Sequence, residues 1–128
     1  MRLAALLAVL AAPVAAQDVL FQSPSGNIGC IMFGDGGARC DIGQANVTYR
    51  NAGNCDLDYG TSFYVGSTGR GEVLCAGDTA RDPSAPILGY GYTYEHGGVV
   101  CESQPHGVAC SNAGGGGFVV RRADQQVF

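Results

Sequence analysis

The chain lacks lysine and tryptophan, and charged residues of any kind make up only 14% of its 128 residues. Positive charge comes from seven arginines alone, against eleven aspartates and glutamates, so the net charge is −4. Nucleic acids and anionic membranes attract proteins that carry basic patches. The composition therefore argues against both as partners, and no apolar run reaches the ~20 residues of a membrane-spanning helix.

The beginning of the chain has the order of a secretory signal peptide. A Met-Arg start precedes an almost wholly apolar stretch at residues 3–12, and Pro13 and small residues follow. We predict that residues 1–16 are removed, leaving one domain at 17–128 with a net charge of −5, because one arginine is lost. No cysteine lies at the cleavage point to carry a lipid. We therefore expect a soluble product in the periplasm or outside the cell.

No two cysteines have the close C-x-x-C spacing of a metal site. An even number of cysteines in an exported chain is typical of a disulfide framework. We therefore predict three disulfides and no metal or other cofactor. The six cysteines are Cys30, Cys40, Cys55, Cys75, Cys101 and Cys110.

The sequence around the first two cysteines predicts a hairpin. Two short strands flank a Gly-rich turn at 34–37, and placing Cys30 opposite Cys40 makes one face of the hairpin wholly apolar. The opposed apolar residues on that face are Ile28 with Ile42 and Met32 with Ala38.

A second hairpin repeats the design. Cys101 and Cys110 flank a turn at 104–107, so we predict a second bridge within a hairpin. The likeness reflects either an internal duplication or two solutions to one hairpin problem. By elimination Cys55 pairs with Cys75, near the end of a third predicted strand pair, 61–65 and 72–75, around the loop 66–71.

Three further segments, 46–50, 89–95 and 117–122, are rich in Val, Tyr, Phe and Thr and are bounded by turn residues. We interpret them as strands, the last ending in a solvated Arg121-Arg122 pair. No helical periodicity follows the predicted signal peptide. The fold class is therefore all-β, a small disulfide-bridged barrel or sandwich.

The segment from Phe21 to Cys30 resembles the opening F-x-S-P-S-G-N-I-x-C of a family of small secreted bacterial proteins known only as a domain of unknown function. Later blocks of the chain resemble that family in the same order, over about residues 20–128. The blocks are R-C-D-I at 39–42, C-D-L-D-Y-G at 55–60, L-C-A-G-D-T at 74–79, L-G-Y-G at 88–91 and G-V-A-C-x-N at 107–112. Tyr59 and Gly116 depart from it, because the family pattern has Trp and His there. The resemblance implies secretion and a shared bridged domain, with no established activity.

The loop from Ser23 to Asn27 offers two hydroxyls and an amide beside a glycine. Pro and Gly fix such a backbone, and Ser and Asn cap it, so a turn is the favoured interpretation. A nucleophilic serine needs a base, and only His96 and His106 are available, both at predicted turns. We therefore consider Ser23, Ser25 and Asn27 as binding candidates, with no catalytic residue assigned.

Tyr90, Tyr92 and Tyr94 alternate, so one predicted strand would place them on one face. Such a face could stack on a sugar or anchor a protein partner. Packing within the domain is the favoured interpretation, because the chain lacks Trp. The three tyrosines remain binding candidates beside the serine loop.

Other patterns are weaker. Asn54, Asp56 and Asp58 resemble part of a calcium loop but lack its glycine and final acid. Asp78 with Asp82, or Asp56 with Asp58, could form a glycosidase pair, although aspartates in turns are commoner.

We interpret the chain as a binding module of the cell envelope or exterior, with an unidentified protein or glycan as its partner. The alternatives are a small envelope hydrolase that uses Ser, His96 and an Asp, and a secreted inhibitor with an exposed loop between bridges.

Overall fold

Alternating apolar residues around Cys30 and Cys40 form the hairpin expected from the sequence. In the computed structural model, which describes residues 3–8 and 16–128, Cys30 faces Cys40. The apolar partners Ile28 with Ile42 and Met32 with Ala38 are also as predicted. Because register is set by which face is buried, the local pattern was sufficient to specify it.

Ten strands and no helix occur among the described residues, and they form two five-stranded antiparallel sheets. The first sheet has the order β1-β2-β3-β4-β5, and the second has the order β10-β9-β8-β7-β6. The strands are β1 (Val19–Gln22), β2 (Ile28–Met32), β3 (Ala38–Ile42), β4 (Asp58–Val65), β5 (Glu72–Ala76), β6 (Thr93–His96), β7 (Val99–Gln104), β8 (Gly107–Asn112), β9 (Gly117–Arg121) and β10 (Gln125–Val127). No helix in this part of the chain is long and apolar enough to cross a membrane.

The two sheets share one plan, in which the second and third strands carry a disulfide and the next strand places a phenylalanine beside it. Neighbouring residues across the first sheet are Phe21, Cys30, Cys40, Phe63 and Val73. The corresponding residues across the second sheet are Tyr94, Cys101, Cys110, Phe118 and Val127. The likeness extends over five strands rather than one hairpin, which favours the internal duplication.

The core lies where these two rows meet, as in a β-sandwich. Equivalent residues pack on one another between the sheets, and each fully buried aromatic side chain contributes roughly 1.5–3 kcal/mol. The contacts are Phe21 with Tyr94 at 5.6 Å between ring centroids, Phe63 with Phe118 at 6.2 Å, and the Sγ atoms of Cys40 and Cys110 at 3.8 Å.

All three predicted disulfides are present: Cys30–Cys40, Cys55–Cys75 and Cys101–Cys110. The first and third are buried in the core between the sheets. The second lies outside that core and joins β5 to the long segment between β3 and β4, with Cys75 exposed.

The predicted strand at 46–50 is wrong. This segment lies beside β10 and is held mainly through side chains, because Gln125 accepts a hydrogen bond from the Thr48 N–H at 3.0 Å and donates to the Asn46 carbonyl at 3.2 Å. The Thr48 hydroxyl accepts from the Gln125 N–H at 2.9 Å. These tertiary contacts override the high β-propensity of the segment 46–50.

The strand at 117–122 is confirmed as β9, with Arg122 just beyond its end. The strand predicted at 89–95 is correct only from Thr93 onward, because residues 89–92 form a turn. The predicted signal peptide remains a prediction, since residues 1–2 and 9–15 lie outside the described residues.

Candidate functional site

The loop between β1 and β2 is a tight turn, as the sequence predicts. The Ser23 hydroxyl accepts a hydrogen bond from the Ile28 N–H at 3.1 Å, and the Gly26 N–H donates to the Ser23 carbonyl at 2.9 Å. Gly26 has a φ of +75°, which glycine adopts without strain. The Asn27 N–H donates to the Ser25 hydroxyl at 3.2 Å. These hydrogen bonds therefore fix the conformation of the loop.

Asn27 connects this loop to the chain that leaves β3. Its side-chain amide donates to the Gln44 carbonyl at 2.9 Å, and its side-chain oxygen accepts from the Gln44 N–H at 2.8 Å. The Gly43 N–H also donates to the Asn27 carbonyl, at 2.8 Å. Because the Asn27 side chain both donates to and accepts from the Gln44 backbone, it fixes the position of Gln44 beside the loop.

An open groove of about 690 Å³ separates this loop from the turn between β7 and β8. Its lining residues are mostly polar and come from both sheets. They are Ser23, Ser25, Gly26, Asn27, Ile28, Gly43, Gln44, Arg81, Tyr90, Gln104, Pro105, His106, Gly107 and Arg122. We call this feature the polar groove.

Arg81 reaches the polar groove across two glycines. A Cβ atom on Gly43 would lie 2.6 Å from Nη1 of Arg81, and one on Gly29 would lie 2.5 Å from the Arg81 Cα. Nη2 of Arg81 donates to the Gly26 carbonyl at 3.3 Å. Only glycine at these two positions permits the close approach that brings the guanidinium beside the loop.

A largely buried ion pair between Arg39 and Asp41 fixes the segment that carries Arg81. Arg39 donates from Nε and Nη2 to the two oxygens of Asp41, both at 2.9 Å, and from Nη1 to Asp78 at 3.1 Å. Asp41 also accepts from the Ala80 N–H at 3.1 Å. The hydrogen bond with Asp41 raises the pKa of Arg39. Asp41 therefore links β3 to the residue just before Arg81.

The polar groove has positive charge in an acidic protein. Arg81 and Arg122 line it, and no carboxylate does. Within residues 3–8 and 16–128, neither of the two arginines forms a salt bridge. Their guanidinium groups therefore remain available to a ligand.

Four of the six candidate binding residues meet in the polar groove: Ser23, Ser25, Asn27 and Tyr90. The expectation of one tyrosine face is wrong, because β6 begins only at Thr93 and Gly91 has a φ of +83°. Tyr92 is 71% exposed in the turn, outside the groove. Tyr94 is half-buried and packs on Phe21, as the packing interpretation predicted.

The histidines occupy different places. His96 lies at the end of β6, where Nε2 is within hydrogen-bond distance of the Gln17 carbonyl at 2.6 Å, and it does not line the groove. His106 is exposed in the β7–β8 turn, as predicted, and lines the groove. No Ser–His96–Asp arrangement occurs there.

The predicted acid pairs have other partners. Asp78 accepts from Arg39, and Asp82 accepts from the Ser84 hydroxyl and N–H at 2.7 and 2.9 Å, which lowers the pKa of Asp82. Asp56 and Asp58 are exposed. The described residues contain no group of three His, Cys, Asp or Glu side chains that could hold a metal ion.

Sequence reasoning missed Gln44, Gln104 and Arg81 and treated Arg122 as a solvated strand end. Arg122 is exposed beyond β9, but it lines the groove. Arg81 and Gln44 come from different loops, and no spacing rule relates them.

The fold and the groove define a disulfide-bridged β-sandwich with a polar surface site. The whole chain, residues 1–128, matches the model of a family of unknown function (DUF6636). The protein therefore belongs to this family, and the expectation of a family without an established activity is confirmed. No curated protein and no solved structure matches the chain.

Proposed function

We propose that this protein is an exported, non-catalytic binding module whose polar groove takes an anionic ligand. The observation that carries the proposal is the charge of the groove. Arg81 and Arg122 line it without any carboxylate, although the chain as a whole has a net charge of −4. Such local positive charge in an acidic protein favours a small anionic group over an extended polyanion.

The chemistry of the groove suits a carboxylate or phosphate. Arginine presents a planar set of donors that matches both groups, and hydrogen bonds to charged groups contribute about 1.5–3 kcal/mol each. The Ser25 hydroxyl and the Gln44 and Gln104 amides add neutral donors and acceptors that orient a ligand. The volume of about 690 Å³ is typical of a small-molecule site.

Two features favour binding over hydrolysis. The Ser23 hydroxyl is buried and already accepts from the Ile28 N–H, and His106 has no carboxylate beside it among the groove residues. An activated serine needs a base that is itself oriented by a third group. The hydrolase with His96 gains no support, because His96 lies away from the groove.

The bridges support export. Every cysteine among the described residues is in a disulfide, and disulfides persist mainly in oxidising compartments outside the cytoplasm. This pattern, together with the sequence of residues 1–16, supports a periplasmic or extracellular location. Sequencing the N-terminus of the exported protein tests it. A start at Gln17 is expected, and an intact N-terminus at Met1 would contradict the proposal.

The groove is tested by NMR titration of the exported, oxidised protein with galacturonic acid and with inorganic phosphate, using galactose as the neutral control. We expect saturable shifts of groove amides with the anions and none with galactose. Arg81→Gln should weaken binding about 10-fold, from the loss of one charged contact. Arg70→Gln, an exposed arginine outside the groove, should leave it unchanged. Equal shifts with galactose, or equal weakening by both variants, would overturn the proposal.

A further inference from the structure

A second depression adjoins the polar groove on the other side of the β7–β8 turn. It has a volume of about 750 Å³ and shares Gln104, Pro105, His106 and Arg122 with the groove. The turn at Pro105 and His106 therefore stands between two concave surfaces. A ligand of more than one unit that occupies the groove can reach the depression by crossing this turn.

The depression differs from the groove in its chemistry. Glu102 and Asp124 contribute carboxylates that balance the arginines at 121 and 122, and Pro105 and Ala123 contribute apolar surface. Asp124 is 3.8 Å from a guanidinium nitrogen of Arg121, with both side chains about half-exposed, and Glu102 accepts a hydrogen bond from Gln104 at 3.2 Å. The carboxylates keep acceptor capacity, and because two arginines balance them the depression has no excess of charge to attract a second anion.

Carboxylate acceptors beside apolar surface suit a neutral sugar. Sugar hydroxyls donate to carboxylates, and the C–H faces of the ring pack on apolar groups such as Pro105. Tyr90, which is 52% exposed in the groove, offers a further amphipathic surface of the same kind. The paired sites thus have complementary preferences, anionic in the groove and neutral in the depression.

A peptide ligand is less well suited to this surface. Extended peptides commonly bind by adding a strand to a free sheet edge. The end of the edge strand β1 beside the groove is already paired, because the Gln22 N–H donates to the Pro86 carbonyl and the Leu88 N–H donates to the Gln22 carbonyl, both at 2.9 Å. Recognition here therefore depends on side chains.

We infer that the ligand is an acidic glycan, whose acidic unit occupies the polar groove and whose neighbouring neutral unit crosses the Pro105–His106 turn into the depression. This inference rests on the proposed function of the groove and adds to it a ligand class and a second subsite. Glu102 and Asp124 accept hydroxyl hydrogen bonds from the neutral unit.

The test compares glucuronic acid with a disaccharide in which glucuronic acid is joined to a neutral hexose, by calorimetric titration of the oxidised protein. The disaccharide is expected to bind at least about 10-fold more tightly, because it adds hydrogen bonds at the second subsite. Asp124→Ala should remove most of this gain without changing the affinity for glucuronic acid, because Asp124 lines only the depression. Glu72→Ala, an exposed glutamate on β5, should leave both affinities unchanged. Both residues are exposed, so the variants should fold, as their melting temperatures will show.

The outcomes separate the two proposals. Binding of glucuronic acid with no gain from the disaccharide, or equal weakening of both by Asp124→Ala, would overturn the second subsite and leave the groove. A tripeptide with an N-terminal lysine that binds more tightly than the disaccharide would overturn the glycan class. Failure of both sugars and of phosphate to bind would overturn the proposed function and this inference with it.

Discussion

The two ends of the sandwich are each formed by one turn from each sheet, but the two turns are in contact at only one end. The β6–β7 turn, made of Gly97 and Gly98, packs directly on the β2–β3 turn, where the Gly37 N–H donates to the Gly97 carbonyl at 3.0 Å. The equivalent pair is the loop 23–27 and the turn 104–107, and here the polar groove lies between them. Two glycines close one end, and a five-residue loop leaves the other open.

A second difference lies between β3 and β4 in the first sheet and between β8 and β9 in the second. The first connection is long and is joined to β5 by Cys55–Cys75. The second is a short turn in which the Asn112 side chain accepts from the N–H groups of Gly114 and Gly116, both at 3.1 Å. The long connection supplies Gly43 and Gln44 to the groove. The comparison teaches that the sheets provide a common frame and the loops provide the site.

The largest effect is expected from removing a core disulfide. Replacing Cys101 and Cys110 together by alanine should lower the free energy of unfolding by about 4 kcal/mol, because lost cross-linking adds to a cavity between the sheets. Replacing Cys55 and Cys75 should lower it by about 3 kcal/mol, since this bridge lies outside that core. Urea unfolding of both variants measures the difference. A larger loss of unfolding free energy for the Cys55 and Cys75 variant would contradict the greater contribution expected from a bridge in the core.

The closed end is broken by Gly97→Ala. A Cβ atom there would lie 2.4 Å from the Phe33 carbonyl oxygen, and φ is +58°, so we expect a loss of about 3 kcal/mol. Gly91→Ala is the matched control, because its φ of +83° is also left-handed but nothing lies within 4 Å of the added atom. That variant should lose only about 1 kcal/mol. Equal melting temperatures would show that the close contact between the turns contributes nothing.

The open end is altered indirectly by Asp41→Asn. This change weakens the bidentate pair with Arg39 and the support of the segment before Arg81, so we expect a loss of about 2 kcal/mol, because Arg39 keeps its contact with Asp78. Binding of galacturonate should weaken by about 3-fold, as Arg81 becomes less well positioned. Asp35→Asn, which changes an exposed aspartate in the β2–β3 turn, is the control. An unchanged affinity for galacturonate together with a lowered free energy of unfolding would show that Asp41 does not position the groove residues.

The smallest effect concerns the connection between the two sheets. The Ser84 hydroxyl and N–H lower the pKa of Asp82, so the ionised carboxylate stabilises the folded state above its unfolded pKa. That stabilisation disappears as the pH falls through the lowered folded value. Ser84→Ala should raise the pKa of Asp82 toward its ordinary value, measured by NMR titration of the carboxyl carbon. An unchanged titration would show that the hydroxyl contact is not formed in solution.

Both cysteine hairpins and the fold class could be predicted from the sequence, because alternation and turn composition are local properties. The register of β2 with β3 follows from which residues must share the buried face. The segment 46–50 has the same β-favouring composition, but its partner Gln125 lies far away in sequence. A composition rule has no access to that contact.

The site was only partly predictable for the same reason. Ser23, Ser25 and Asn27 are adjacent in sequence, and their turn chemistry marked them. Arg81 and Arg122 reach the groove only through the packing of separate loops. The prediction of one tyrosine face was wrong because alternating residues share a face only within a strand. Gly91 turns the chain before β6 begins at Thr93.

The contact between Cys40 and Cys110 brings four sulfur atoms to one point of the core. If a reductant opened only the Cys30–Cys40 bridge, the thiolate of Cys40 would lie beside Cys110 of the intact Cys101–Cys110 bridge, and Cys101 would be the leaving thiolate. Thiol–disulfide exchange could then create a covalent tie between the sheets with little movement of either backbone. Peptide mapping after partial reduction and reoxidation should find this Cys40–Cys110 isomer ahead of any scrambled bridge that uses Cys55 or Cys75.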